Sequence, residues 1–143
     1  MKKLTFFIGG IIQGSIADKK IHSQDYRKKI KTILMAKYKD AEIICPYSNH
    51  PNSINYDDDK GKKTFFELME TASNADILIA YLPEASMGTA IEMWEAKKKG
   101  RFVISISPLG INWCIKYLSD IICKDMNEFE DFIEKSNLKA LIH

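Results

Sequence analysis

The run from Ala75 to Pro108, ADILIAYLPEASMGTAIEMWEAKKKGRFVISISP, constrains the fold more than any other part of the chain. ILIAYL is unbroken and apolar with a β-branched bias, the pattern of a strand buried on both faces. Pro83 ends it, and Ser86-Met87-Gly88-Thr89 supplies turn residues with Ser86 as a helix N-cap. The predicted helix carries Ile91, Trp94 and Glu95 at near-helical spacing and stops at Lys97-Lys98-Lys99-Gly100. RFVISISP reads as the next buried strand. Two such strands joined by a helix make a parallel βαβ unit.

Glu92 falls in the first turn of that helix, beside the carboxyl end of a parallel strand, where open α/β sheets bind ligands. Ser86 and the amides of Gly88 and Thr89 lie at the helix N-terminus, which favours an anion. A carboxylate close to an anion cradle suits a phosphorylated sugar. Plainer roles exist for the same residues, Ser86 as a cap and Glu92 as a complement to the helix dipole.

In this stretch the chain resembles the nucleoside 2-deoxyribosyltransferase superfamily, most of all its nucleoside 5′-monophosphate N-glycoside hydrolase branch. Ala75-Asp76 opening the strand, the Ser86-Met87-Gly88 turn and Glu92 match in order, with the Ser86-to-Glu92 offset of that branch. The resemblance implies that Glu92 is the nucleophile and that Ser86 and Gly88 hold a 5′-phosphate. It also implies a homodimer or higher homo-oligomer and no cofactor.

With 143 residues the expectation is one domain, 1–143, large enough for a real core. A net charge of +2 is too small to argue for a nucleic-acid polymer or a membrane surface, and no apolar run approaches the roughly 20 residues of a span. The opening MKKLTFFIGGIIQGS has the basic start and apolar stretch of a signal peptide. Gly9-Gly10 interrupts that run and no small-residue cleavage site follows, so a first buried strand is expected. Cys45, Cys114 and Cys123 have no metal-ligand spacing, which argues against a metal site and for a reducing cytoplasm.

LTFFIGG delivers Gly9 and Gly10 to the sheet edge that the later turn also occupies. With Gly14 and Ser15 they form a loop open to close backbone approach. It is neither a Walker loop nor the dinucleotide fingerprint. The resemblance continues through it, from Gly10 to Tyr26. Ser23 or Asp25 caps the following helix, whose basic side, Arg27, Lys28, Lys29 and Lys31, reads as solvated surface. Tyr26 at its start either reaches the pocket or packs in the core. In the monophosphate hydrolases an aromatic residue just before the glycine loop lies against the 2′ side of the sugar. Phe6 or Phe7 stands there in this chain, without a phenolic hydroxyl, which would leave room for ribose; both are also ordinary strand core.

AEIICPY is the second strand. From Tyr47 to Gly61 the chain is irregular, either a surface loop or a lid, and Asp57-Asp58-Asp59 and His50 read as solvated there. TFFELMETASN is a helix with Phe65, Leu68 and Met69 as its expected buried stripe. Here the chain departs from the superfamily, which places a carboxylate at the position of Leu68. After Pro108 come a short helix over 112–118, a fifth strand over 120–123 and a closing helix over 127–135. In the superfamily, residues from about this region of a neighbouring subunit complete the pocket, so Asn112 and Lys116 are candidate contacts, Lys116 to a phosphate.

The expected fold is a three-layer, doubly wound parallel α/β sheet of five strands in the flavodoxin-like order 2-1-3-4-5, with a pocket between the loops after the first and third strands. The expected activity is cleavage of the N-glycosidic bond of a nucleoside or nucleoside 5′-monophosphate, by hydrolysis or base exchange. Leu68 favours an alternative, a nucleotide-binding or sensing module with little turnover. A flavin or electron-transfer protein has the same strand order, and a colourless preparation would dispose of it.

Overall fold

The computed structural model describes residues 3–142. Met1, Lys2 and His143 lie outside the described residues, and with them the basic start of the opening segment. Strands β1 (Thr5–Gly10), β2 (Glu42–Ile44), β3 (Ile77–Tyr81), β4 (Phe102–Ile106) and β5 (Ile121–Cys123) form one sheet. Its order is β2-β1-β3-β4-β5 and every pair is parallel, as expected.

Alternation along the central strands separates two apolar layers. Phe6, Ile8, Ile77, Ile79 and Ile104 face α1 (Asp25–Lys37) and α6 (Met126–Lys135), which contribute Ile30, Leu34, Phe129 and Ile133. Phe7, Leu78, Ala80 and Val103 face the other side. There they meet Ala72 of α3 (Asp58–Asn74), Met93 and Ala96 of α4 (Met87–Lys98), and Ile115 of α5 (Trp113–Leu118). Each large side chain removed from water in this way contributes about 1.5–3 kcal/mol. Asp76 ties the strand starts together: its Oδ2 accepts from the Thr5 amide and hydroxyl, both at 3.0 Å, while its own amide donates to Thr5 Oγ1.

The irregular stretch is more ordered than expected. It holds a short helix α2 (Pro46–Asn49), a 3-10 turn (Ser53–Asn55) and the first turns of α3. Asp57 is the N-cap of α3, accepting from the Lys60 amide, and Asp58 and Asp59 complement its dipole in the first turn. His50 Nδ1 lies 2.7 Å from the Tyr56 hydroxyl. A further short helix, α7 (Leu138–Leu141), follows α6.

Candidate active site

Strand order reverses between β1 and β3, so the connections leaving their carboxyl ends diverge and leave a crevice. Gly9 pairs with Ala80 and Gly10 with Tyr81 at that end of the sheet. A cavity of about 310 Å³ lies there, floored by Gly9, Gly10 and Glu92 and bordered by Gln13 and Gly14 on the glycine loop. Ser86, Gly88 and Thr89 form its α4 side, and Phe65, Leu68 and Met69 its α3 side.

Glu92 is 8 % exposed. It sits in the second turn of α4, not the first, because the helix begins at Met87. That position weakens a purely dipolar role, which fades beyond the first turn. A Cβ on Gly9 would stand 2.9 Å from Glu92 Oε1, so a side chain there would displace the carboxylate. Burial pushes the Glu92 carboxyl up to about 8, and the Arg27 charge opposes the rise.

Arg27 was expected on a solvated face, and the structure buries it to 5 % exposure. Its Nη1 donates to the Ile8 carbonyl at 2.9 Å and its Nη2 to the Gly10 carbonyl at 3.3 Å, on either side of Gly9. Nε donates to Gln24 Oε1 at 2.8 Å, and Nη1 also lies 3.6 Å from Cys45 Sγ. The guanidinium therefore satisfies strand-end carbonyls while holding a positive charge beside the cavity. Burial would raise the Cys45 thiol, yet hydrogen bonds from Ser48 and the Arg27 charge hold it below its ordinary value. Spacing carried the missed signal. Arg27, Ile30 and Leu34 stand at i, i+3 and i+7, on the buried stripe of α1.

Gln24, rather than Ser23 or Asp25, is the N-cap position of α1, and its side chain braces the glycine loop. Nε2 donates to the carbonyls of Ile11 and His22 at 3.1 and 2.8 Å. Tyr26 is buried behind that loop and does not line the cavity. Its hydroxyl donates to the Ile11 carbonyl at 2.9 Å and its ring stacks on Tyr81 at 4.2 Å. Burial pushes its phenol well above the ordinary tyrosine value. A Cβ on Gly10 would stand 2.6 Å from that hydroxyl, which gives Gly10 a steric reason as well.

Ser86 caps α4 as expected, accepting from the Thr89 amide at 3.3 Å with its hydroxyl 3.0 Å from Thr89 Oγ1. A Cβ on Gly88 would meet nothing within 4 Å, so this glycine faces open space. The structure thus brings Gly9, Gly10, Ser86, Gly88 and Glu92 together.

Two other expectations are corrected, those for Phe6 and Phe7 and for the stripe of α3. Phe6 pairs with Ile77 in mid-sheet and packs on Tyr38 at 5.8 Å, while Phe7 pairs with Leu78 and faces α3 and α4. Both are fully buried, because β1 runs on to Gly10 and leaves them short of the sheet end. The argument for ribose at the 2′ position loses its footing with them. Asn112 caps α5 through the Cys114 amide, and Lys116 is exposed beside Tyr117; neither lines the cavity of its own chain, and the expectation places both at the cavity of a neighbouring subunit. The stripe of α3 is also displaced. Thr64, Ala72 and Ser73 are its buried residues, whereas Phe65, Leu68 and Met69 wall the cavity, because the start of α3 overhangs the carboxyl ends of the strands.

No family model matches the chain, and no curated protein does. Among solved structures it is similar to the 2-deoxyribosyltransferase of the psychrotolerant bacterium Bacillus psychrosaccharolyticus. The TM-score is 0.70 and the identity 18 %, over 96 % of this chain and 95 % of that one. A conserved protein from Enterococcus faecalis V583 is similar too, with a TM-score of 0.66 and 18 % identity over 94 % of this chain and 99 % of that one. At such identities the likeness carries the architecture: the chain has the doubly wound α/β fold that a 2-deoxyribosyltransferase also has.

Proposed function

We propose that this chain, acting as one domain over residues 1–143, cleaves the N-glycosidic bond of a nucleoside or nucleoside 5′-monophosphate, by hydrolysis or base exchange. The observation that carries the reading is the position of Glu92, a buried carboxylate on the cavity floor with its Oε1 against Gly9. In this reading Glu92 attacks the anomeric carbon and forms a glycosyl ester, which water or a second base then resolves. Ser86, the Gly88 amide and the Gly10 loop take the 5′-phosphate at the N-terminus of α4. The superfamily resemblance and the fold shared with a 2-deoxyribosyltransferase support the same class.

A second copy of the chain belongs to the reading. Met87, Ile91 and Trp94 of α4 are exposed, as are Ile111 before α5 and Trp113 and Tyr117 within it. Large apolar side chains exposed on two neighbouring helices favour association. Asn112 and Lys116 lie among these residues, so pairing would carry them toward the partner's cavity. The three unpaired thiols fit a reducing, cytoplasmic setting.

A nucleotide-binding module without turnover is the second reading, favoured by Leu68 on the cavity wall. Incubation with a panel of nucleosides and their 5′-monophosphates, read as free base by chromatography, separates the two. Base release that Glu92→Ala abolishes and that favours monophosphates supports the enzyme. Binding with no release supports the module.

A further inference from the structure

Breaking an N-glycosidic bond to a neutral base leaves negative charge on the departing nitrogen. Enzymes normally protonate that atom, and the donor is worth about 10²–10⁴-fold in rate. Among the described residues of one chain that line the cavity, none is suited to the task. Of these described residues, Glu92 is the sole carboxylate and none is a histidine, and in the proposed step the oxygens of Glu92 are engaged with the sugar. The Arg27 donors hold the Ile8 and Gly10 carbonyls. The Tyr26 hydroxyl is committed to the Ile11 carbonyl behind the glycine loop. Ser86 and Thr89 bond to each other, and hydroxyls of this kind are very weak acids. Across from Glu92 the wall is Phe65, Leu68 and Met69, apolar and with one aromatic ring.

We infer that the substrate carries a positive charge on the glycosylated ring of its base, as pyridinium and N7-alkylpurinium nucleotides do. The inference rests on the reading of Glu92 as nucleophile and names the substrate class of that same site. A Glu92 oxygen forms a bond to the anomeric carbon as the carbon–nitrogen bond breaks. The electron pair of the broken bond returns to the ring nitrogen and cancels its charge, so the base leaves as a neutral molecule with no proton added. Water then attacks the same carbon, Glu92 departs as the carboxylate, and one proton from that water passes to solvent. The ionised form of Glu92 and the Phe65 ring both favour a cation in the cavity, and a bound cation in turn favours that ionised form, offsetting the burial that raises the carboxyl.

The test uses the wild-type protein and a pair differing by one methyl group, guanosine 5′-monophosphate and its N7-methyl cation, with nicotinamide mononucleotide as a second cation. Free base is followed by chromatography, and each enzymic rate is divided by the uncatalysed rate of the same compound, which removes the greater intrinsic lability of the cations. The expected result is an enhancement for at least one cation that exceeds that for guanosine 5′-monophosphate by about 100-fold or more. Equal enhancements, or a larger one for the neutral member, would overturn the inference. Cleavage of other neutral monophosphates but neither cation would overturn it while leaving Glu92 as nucleophile intact. Cleavage of nothing would overturn both.

Discussion

Gly9 and Glu92 touch across the floor of the cavity: a Cβ on Gly9 would come within 2.9 Å of Glu92 Oε1. A strand residue and a helix residue 83 positions later are fitted to each other, which only parallel pairing of β1 with β3 allows. Gly9→Ala therefore acts on the carboxylate more than on the fold. Its backbone is ordinary strand, so alanine adds no conformational strain. We expect kcat to fall by at least about 10²-fold, as displaced reacting groups do, while the melting temperature drops by only a few degrees. Steady-state kinetics and a thermal melt on one preparation check this, and an unaltered kcat would contradict it.

Arg27 holds the same floor from below. Arg27→Met leaves the Ile8 and Gly10 carbonyls without their donor and removes the charge that opposes the rise in Glu92. Denaturant unfolding should show a loss of about 2–4 kcal/mol. Arg27→Lys should recover part of that loss. In both variants that fold, the Glu92 limb of the pH–rate profile should move, toward higher pH in Arg27→Met and less in Arg27→Lys. A limb that stays in place in Arg27→Met would mean that the guanidinium serves the strand alone.

Glu92 titrates at about 8 in the folded chain against an ordinary 4.5, so between those values the native state binds the extra proton. Stability contributed by the neutral carboxyl is full below about pH 4.5 and is lost as pH rises through about 8. Glu92→Gln keeps the shape without the charge. Its advantage over the wild type should be small near pH 4.5, grow through that window and level off above it, reaching on the order of a few kcal/mol. Paired thermal melts across pH measure it. An advantage independent of pH would contradict the burial of an ionisable group here.

The exposed apolar face makes a separate prediction. Trp94→Asp with Trp113→Asp places charge where a second copy would pack. Light scattering should find a dimer or larger assembly for the wild type and a monomer for the double variant. Base release should fall with it if Asn112 or Lys116 completes the partner's site. A wild-type monomer would contradict the pairing.

Most of the fold was legible because the strands and their helices repeat their signals locally: ILIAYL, FVISI, the Ser86 cap and the Lys97–Gly100 stop each stand within a few residues. The placement of Glu92 and Ser86 at the crevice was legible from one such stretch. Arg27 was not, since its partners are backbone carbonyls of β1, distant in sequence and without a side-chain pattern. The α3 wall was misread because periodicity identifies an apolar stripe and not what it faces; the same spacing that packs Ala72 on the sheet turns Leu68 toward the cavity. Phe6 failed for the opposite reason, being counted from the glycine loop when the strand itself extends through Gly10.

The claim on which the account turns is that Glu92 bonds covalently to the sugar. Incubating the protein with a substrate analogue carrying fluorine at the 2′ position, which slows release of the intermediate, and measuring intact and peptide masses tests it most directly. The account predicts added mass equal to the sugar moiety, located on the peptide at Glu92, and no addition to Glu92→Gln. Turnover of the analogue with no adduct, or the same adduct on Glu92→Gln, would contradict it.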